Sequence, residues 1–325
     1  MSSIEVKNLD GLPFGARIRG VNWDVLKDDT IRRQIDAVFQ DRGVIVFEEI
    51  EPSSDMQAEV SKIFGPLKDH PIKSVGRVDN NRLPGVIVIK PDPGRTPIVE
   101  VDGKLRVNWQ PWHFDHFYNN ELNRGGVLRS VITPPEGGQT GFADGIQLYK
   151  VLSADLRSAI EGKNIIYGYE RLLFARIRFG LPNSFKEVRP PDEEGAKSIL
   201  ETAKTMPRAV HPAVWTRSTG EKVLHVSGYG AFGIEGQENP AGDALLEAVL
   251  QEIRAKVQAY VHEWKPSDMV VWDNWRMLHE GFGVDPKYDR CVHRTTIQGD
   301  YGLGYWENDA TPPASVPGGY DLHHR

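Results

Sequence analysis

The sequence predicts a mostly β fold with flanking helices, built on a double-stranded β-helix (jelly-roll) core. Three observations carry that expectation. Short apolar runs of strand length fall both early and late in the chain. Segments of helical period interrupt them, without the strict alternation that a doubly wound parallel sheet requires. Pro and Gly are spread along the chain rather than gathered into a linker, so residues 1–325 read as one domain. A two-sheet jelly roll accommodates that order of elements.

In chain order, residues 28–42 place Ile31, Ile35, Val38 and Phe39 at helical spacing, and Gly43 closes the segment. Val44-Ile45-Val46-Phe47 reads as a buried strand. Ser53 or Ser54 caps a second helix carrying Met56, Val60 and Ile63, with Gly65 as its stop. Val86–Ile89 is a strand. Residues 91–111 are dense in Pro, Gly and charge and read as a loop. Residues 127–132 form a strand ended by Pro134-Pro135. Residues 144–160 read as one helix. Residues 241–261 read as the longest helix, with Leu245, Val249, Leu250, Ile253, Val257 and Tyr260 on one face. Residues 269–272 and 294–298 are late strands. Residues 170–206 are charged and weakly patterned, as expected of a lid or surface insertion.

Composition narrows the function classes. The formal net charge is -6, with both signs mixed and no basic stripe, which argues against a nucleic-acid partner. The single cysteine, Cys291, cannot form an intrachain disulfide and fits a reducing compartment. Residues 1–7 show neither a basic nor an apolar leader region, and no apolar run is long enough to span a bilayer. The expectation is a cytoplasmic protein that handles small molecules and has no membrane partner.

The chemistry-bearing residues are His113 and Asp115 in Trp112-His113-Phe114-Asp115, and His279 at the end of Trp272-Asp273-Asn274-Trp275-Arg276-Met277-Leu278-His279. Two imidazoles and one carboxylate can cap one face of a metal ion and leave the other open, as in non-haem Fe(II) oxygenases. The same ligands suit catalytic zinc, although no His-Glu-X-X-His helix is present. On an extended strand, residues two apart point the same way, so His113 and Asp115 would share a face and His116 would take the other. Arg290 and Arg294 follow His279 at eleven and fifteen residues. A guanidinium there can hold the far carboxylate of a 2-oxo acid. Without such a ligand, Arg290 would be a surface arginine paired with Asp285 or Asp289. Gly228-Tyr229-Gly230-Ala231-Phe232-Gly233 spells a dinucleotide fingerprint, but no helix opens at Gly233, so the context that motif needs is missing.

Several further segments resemble the taurine dioxygenase / 2,4-dichlorophenoxyacetate dioxygenase family of Fe(II)/2-oxoglutarate oxygenases. They are Phe14–Val21, Arg42–Phe47, Phe64–Pro71, the Gly137-Gly138-Gln139-Thr140 turn, His211–Val214 and Gly299-Asp300, together with both metal motifs. The resemblance implies that His113, Asp115 and His279 ligate Fe(II). Arg290 and Thr140 would hold the distal carboxylate of 2-oxoglutarate, and O2 would be the second cosubstrate. It assigns Arg294 and His70 to a small anionic substrate (a sulfonate, carboxylate or sulfate), and more loosely Tyr229 to the pocket wall. With an acidic third ligand, hydroxylation rather than halogenation is implied. Family members are often dimers or tetramers. Trp109, Trp112, Phe117 and Tyr118 make the entry more aromatic than a taurine-sized substrate needs, and Lys73 stands where the taurine-type pattern tends to have an aromatic residue.

Overall fold

Asp28 opens the first helix by accepting a hydrogen bond from the Thr30 N–H at 2.7 Å, satisfying one of the donors that a helix start leaves free. Asp29–Arg42 then buries Ile35 and Phe39, and Gly43 ends it at φ 74°, a left-handed conformation that glycine adopts without steric cost. The structure is a computed structural model and describes residues 3–69 and 76–309. Ser53 caps the second helix, Ser54–Ser61, through the Met56 N–H. That helix ends four residues before Gly65, the expected stop.

The described strands form two large sheets and two small ones. The larger has eight strands in the order Glu5–Asn8, Ala16–Arg19, Val44–Phe47, Met269–Asp273, Gly125–Ile132, Cys291–Ile297, Leu83–Ile89 and Arg77–Asp79. Its pairings are antiparallel except between Ala16–Arg19 and Val44–Phe47. The second has six strands in the order Lys186–Arg189, Ile98–Val101, Lys104–His113, Met277–Val284, Thr140–Asp144 and Tyr260–His262. The chain passes back and forth between them. Lys104–His113 leads to Gly125–Ile132 and then to Thr140–Asp144, while Met269–Asp273 leads to Met277–Val284 and then to Cys291–Ile297. The sheets meet over a shared core of Val44, Leu128, Val270, Trp272 and Val292 from the first, with Phe142 and Met277 from the second. That contact brings one end of each sheet to the residues described below. Among the described residues, no helix is long and apolar enough to cross a membrane.

Three local expectations are corrected. Residues 91–111 are not a loop throughout: Ile98–Val101 and Lys104–His113 form an antiparallel hairpin. Asp102 and Gly103 turn it with φ of 50° and 73°, the two left-handed positions of a tight hairpin turn. Residues 144–160 are two helices, Gly145–Val151 and Ala154–Ile160, because Leu152 is extended between them. The long helix spans Pro240–Lys256, capped by Asn239, and Tyr260 lies instead on an edge strand paired with Thr140–Phe142. Residues 170–206 supply two 3-10 turns (Tyr169–Leu172 and Phe174–Arg176), the strand Lys186–Arg189 and the helix Glu193–Thr205.

Beneath the site, His211 and His225 are completely buried beside Phe114, whose ring stacks on His225 with centroids 4.0 Å apart. The His211 Nε2–H donates to the Phe117 carbonyl at 3.0 Å. Burial pushes His211 down to about 4 and His225 down to about 3. Both rings are therefore neutral in the fold but take up protons near pH 6.5 once unfolded. At these two rings the unfolded chain binds more protons below that pH, so their contribution to stability falls as pH drops from 6.5 toward 4, against an opposite contribution from Glu280 and Asp268, whose carboxyls burial raises to about 7 and about 6. Each ring should remove about 1 kcal/mol per pH unit in that window. Urea midpoints at pH 7 and pH 5 for the wild type and His225→Phe test this, and an acid-induced loss no smaller in the variant would contradict a neutral buried imidazole.

Candidate metal centre and its cavity

His113 is the last residue of Lys104–His113 and faces His279 directly across the ladder with Met277–Val284. Their rings lie 4.1 Å apart. The strand stops at His113, so Asp115 does not reach the site by strand alternation, as the spacing suggested. It lies in the turn that follows, where His116 takes φ 59°. Asn274 holds that turn in place. The Asp115 N–H donates to Asn274 Oδ1 at 2.7 Å, and Asn274 Nδ2 donates to the Asp115 carbonyl at 3.0 Å. The outcome is a buried trio of His113, Asp115 and His279 whose candidate ligand atoms all lie within 4.8 Å of one another.

The local electrostatics suit a cation. Burial alone would raise the Asp115 carboxyl, but Arg294 and then His279, His116 and His113 outweigh it and hold the group below the usual carboxylate range. Burial lowers both His113 and His279, so both imidazoles are neutral near neutral pH, each with a single ring N–H. His113 Nδ1 lies 2.7 Å from the Pro111 carbonyl, which requires the proton on Nδ1 and leaves the Nε2 lone pair for a metal. Asp115 Oδ2 is buried with no hydrogen-bond donor among the described residues. An ionised oxygen left so is costly, and a divalent cation would satisfy it. The donor set therefore fits a metal ion with an open face.

Arg294 Nη1 donates to Asp115 Oδ1 at 2.7 Å. The structure thus brings Arg294 to the metal-side carboxylate. Arg290 is buried, and no carboxylate pairs with it among the described residues, neither Asp285 nor Asp289. Among the described residues its Nη2 donates only to the Gly138 carbonyl, at 3.3 Å. Burial pulls this guanidinium down to about 10. Gly138 itself sits at φ 74°, and a Cβ there would lie 3.1 Å from Arg290 Nε, so the Gly-Gly turn makes room for the arginine. Thr140 begins the neighbouring strand, and its Oγ1 accepts from Trp264 Nε1 at 3.2 Å.

All of these groups line one cavity of about 410 Å3: the trio, Thr140, Arg290 and Arg294. Its outer wall is aromatic, formed by Trp109, Phe117, Tyr118, Tyr169, Phe174 and Tyr229. The Tyr229 ring stands edge-on to His113 at 5.7 Å, and its hydroxyl donates to the Leu172 carbonyl. The glycines around Tyr229 serve packing rather than phosphate. A Cβ on Gly230 would lie 1.9 Å from the Phe117 ring, and a strand follows at Ala231–Ile234. His70 and Lys73 lie outside the described residues.

Sequence reasoning gave no role to Asn274 or to the buried bidentate pair of Arg276 with Asp144 (2.8 and 2.9 Å), which ties the turn before His279 to the end of the Thr140 strand. Arg276 carried a signal. A charged residue inside the apolar run from Met269 to Leu278 must be paired if it is buried. Asn274 carried none, since its partner Asp115 lies 159 positions away.

The family model described as "Taurine catabolism dioxygenase TauD, TfdA family" matches residues 5–296. An alpha-ketoglutarate-dependent 2,4-dichlorophenoxyacetate dioxygenase of Cupriavidus pinatubonensis is 26% identical over 298 residues, covering 88% of this chain and 95% of that protein. An (S)-phenoxypropionate/alpha-ketoglutarate-dioxygenase of Sphingobium herbicidovorans is 27% identical, covering 88% and 92%. The crystal structure of a taurine dioxygenase from Burkholderia xenovorans superposes with a TM-score of 0.66 at 25% identity, covering 92% of this chain and 90% of that one.

Proposed function

The chain belongs to the TauD/TfdA family of taurine catabolism dioxygenases, and from that premise we propose that it is an Fe(II)- and 2-oxoglutarate-dependent dioxygenase. It hydroxylates an unactivated C–H of a small, anionic and aromatic substrate. When bound, iron with 2-oxoglutarate and O2 supplies the oxidant: one oxygen atom goes to the substrate, the other to succinate, and CO2 is released. His113, Asp115 and His279 hold the metal and keep its opposite face open. Arg290 pairs with the distal carboxylate of 2-oxoglutarate, and the Thr140 hydroxyl donates to it. Arg294, Tyr229 and His70 are assigned to the substrate, with Arg294 supplying positive charge at the metal end. The aromatic wall excludes water from the reacting C–H.

One observation carries this reading over a metal-binding protein without catalysis or a zinc hydrolase. A buried guanidinium without an anion shares a cavity with a three-ligand metal site. Neither alternative needs such a clamp, whereas a dicarboxylate that reaches from metal to arginine does. We further infer that the two large sheets form a double-stranded β-helix within a single domain over 1–325, and that residues 170–206 form its lid. The protein is read as cytoplasmic, as a homo-oligomer (dimer or tetramer), and as having no nucleic-acid or membrane partner.

The test is to measure succinate released from 2-oxoglutarate in air with Fe(II), Zn(II) or no metal added. Fe(II)-dependent succinate, absent with Zn(II), is expected. Stable 2-oxoglutarate under all three conditions, in a protein that binds iron, would sink the proposal.

A further inference from the structure

A second cavity of about 230 Å3 lies against the first and shares Thr96, Pro97, Leu172 and Phe174 with it. Beyond that waist its walls are Leu173, Pro191 and Ile199. Its two charged lining residues occupy each other: Arg95 Nε lies 2.7 Å from Asp192, and the same guanidinium reaches Glu194 at 2.9 Å. These ion pairs fasten the start of the Glu193–Thr205 helix to the turn that precedes the Ile98–Val101 strand. Arg189 adds a hydrogen bond to the Thr96 carbonyl at 2.7 Å. The helix has no fully buried residue, and Ala196, Ile199, Leu200 and Ala203 form a half-buried stripe along it. It thus roofs the space without filling it.

We propose that this annex is a substrate subsite that takes the apolar end of an amphiphilic anion, so that the natural substrate extends well beyond a single ring. The inference rests on the oxygenase reading of the metal cavity. Its own grounds are continuity and chemistry. The annex adjoins the aromatic cavity through four shared side chains, and its charges are neutralised by one another at the rim. Its remaining surface offers mostly hydrocarbon. A ligand whose anion lies near the metal and whose body passes the aromatic wall has this space ahead of it. Ile199 is then a specificity-determining residue far from the chemistry.

The experiment is isothermal titration of the protein loaded with Mn(II) and 2-oxoglutarate, which does not turn over. The probes are phenoxyacetate and 4-hexylphenoxyacetate, and the corresponding phenyl sulfates. Burying the hexyl chain should tighten binding at least about tenfold for one head group or the other. Ile199→Trp, which fills the annex, should bring the long probe within about twofold of the short one and leave the short one unchanged. Ile199→Asp, at a half-buried position, should reduce the gain in the same way through the cost of burying a charge beside the hexyl chain. No gain from the hexyl chain in the wild type, or a full gain in both variants, would overturn the annex. Absence of 2-oxoglutarate binding itself would instead overturn the reading of the cavity beneath it.

Discussion

Asp115→Ala is expected to abolish 2-oxoglutarate turnover and to weaken Fe(II) binding by more than the roughly 10–100-fold that losing an outer-shell partner costs. The variant removes the only carboxylate of the trio and leaves two neutral imidazoles, which balance none of the ion's charge. It also strands Arg294, whose Nη1 bond to Asp115 Oδ1 is an ion pair between largely buried groups. Asn274→Ala keeps every ligand but frees the turn that carries Asp115, so it should fall in the 10–100-fold range itself, at about one-tenth or less of wild-type affinity. The readout is the visible band that forms when Fe(II) and 2-oxoglutarate are added without oxygen. It should be absent in Asp115→Ala and should need more iron in Asn274→Ala. Wild-type turnover in Asp115→Ala would refute the ligand assignment. Since His113 and His279 are neutral and Asp115 ionised near pH 7, the wild-type affinity should change little between pH 8 and 6.5 and weaken only in acid, where the ligands take up protons.

What the sequence made legible follows from the range over which each signal acts. The metal residues could be read because their types and order are chemical requirements, whatever the path of the chain. The local route to Asp115 could not: the strand ends at His113, and a clamp from Asn274 replaces strand alternation. The hairpin of residues 98–113 was written in Asp102-Gly103 between alternating apolar residues, and the surrounding Pro and charge hid it. The helix after Pro240 was overextended because Val257 and Tyr260 continue its apolar spacing, although the chain has already turned to an edge strand. Arg294 lines the cavity and also reaches Asp115, a contact set by the pairing of distant strands that its spacing from His279 does not reveal. Alternation between the two sheets was the part least visible, because strand pairing depends on residues more than a hundred positions apart.

Arg290→Met should separate the clamp from a merely structural arginine, because its two expected effects have opposite signs. Without ligand, the buried guanidinium has a single weak partner among the described residues, the Gly138 carbonyl, and burial has drawn it down to about 10 from its ordinary value above 12. A shift of that size corresponds to a destabilisation on the order of a few kcal/mol at neutral pH. Methionine fills similar space without charge, so the ligand-free variant should melt higher than wild type. Toward 2-oxoglutarate the effect reverses. Losing a desolvated guanidinium–carboxylate pair removes about 3–5 kcal/mol of binding, or roughly three orders of magnitude in affinity. The wild type should therefore gain thermal stability on adding metal and 2-oxoglutarate, as linkage requires, and Arg290→Met should gain almost none from the 2-oxoglutarate. If the variant melted lower than wild type and kept the ligand-induced shift, Arg290 would be a packing residue and the distal carboxylate would have to be held elsewhere. The opposed signs make this outcome hard to mimic by misfolding, since a misfolded variant does not gain stability in one state while losing a ligand in the other.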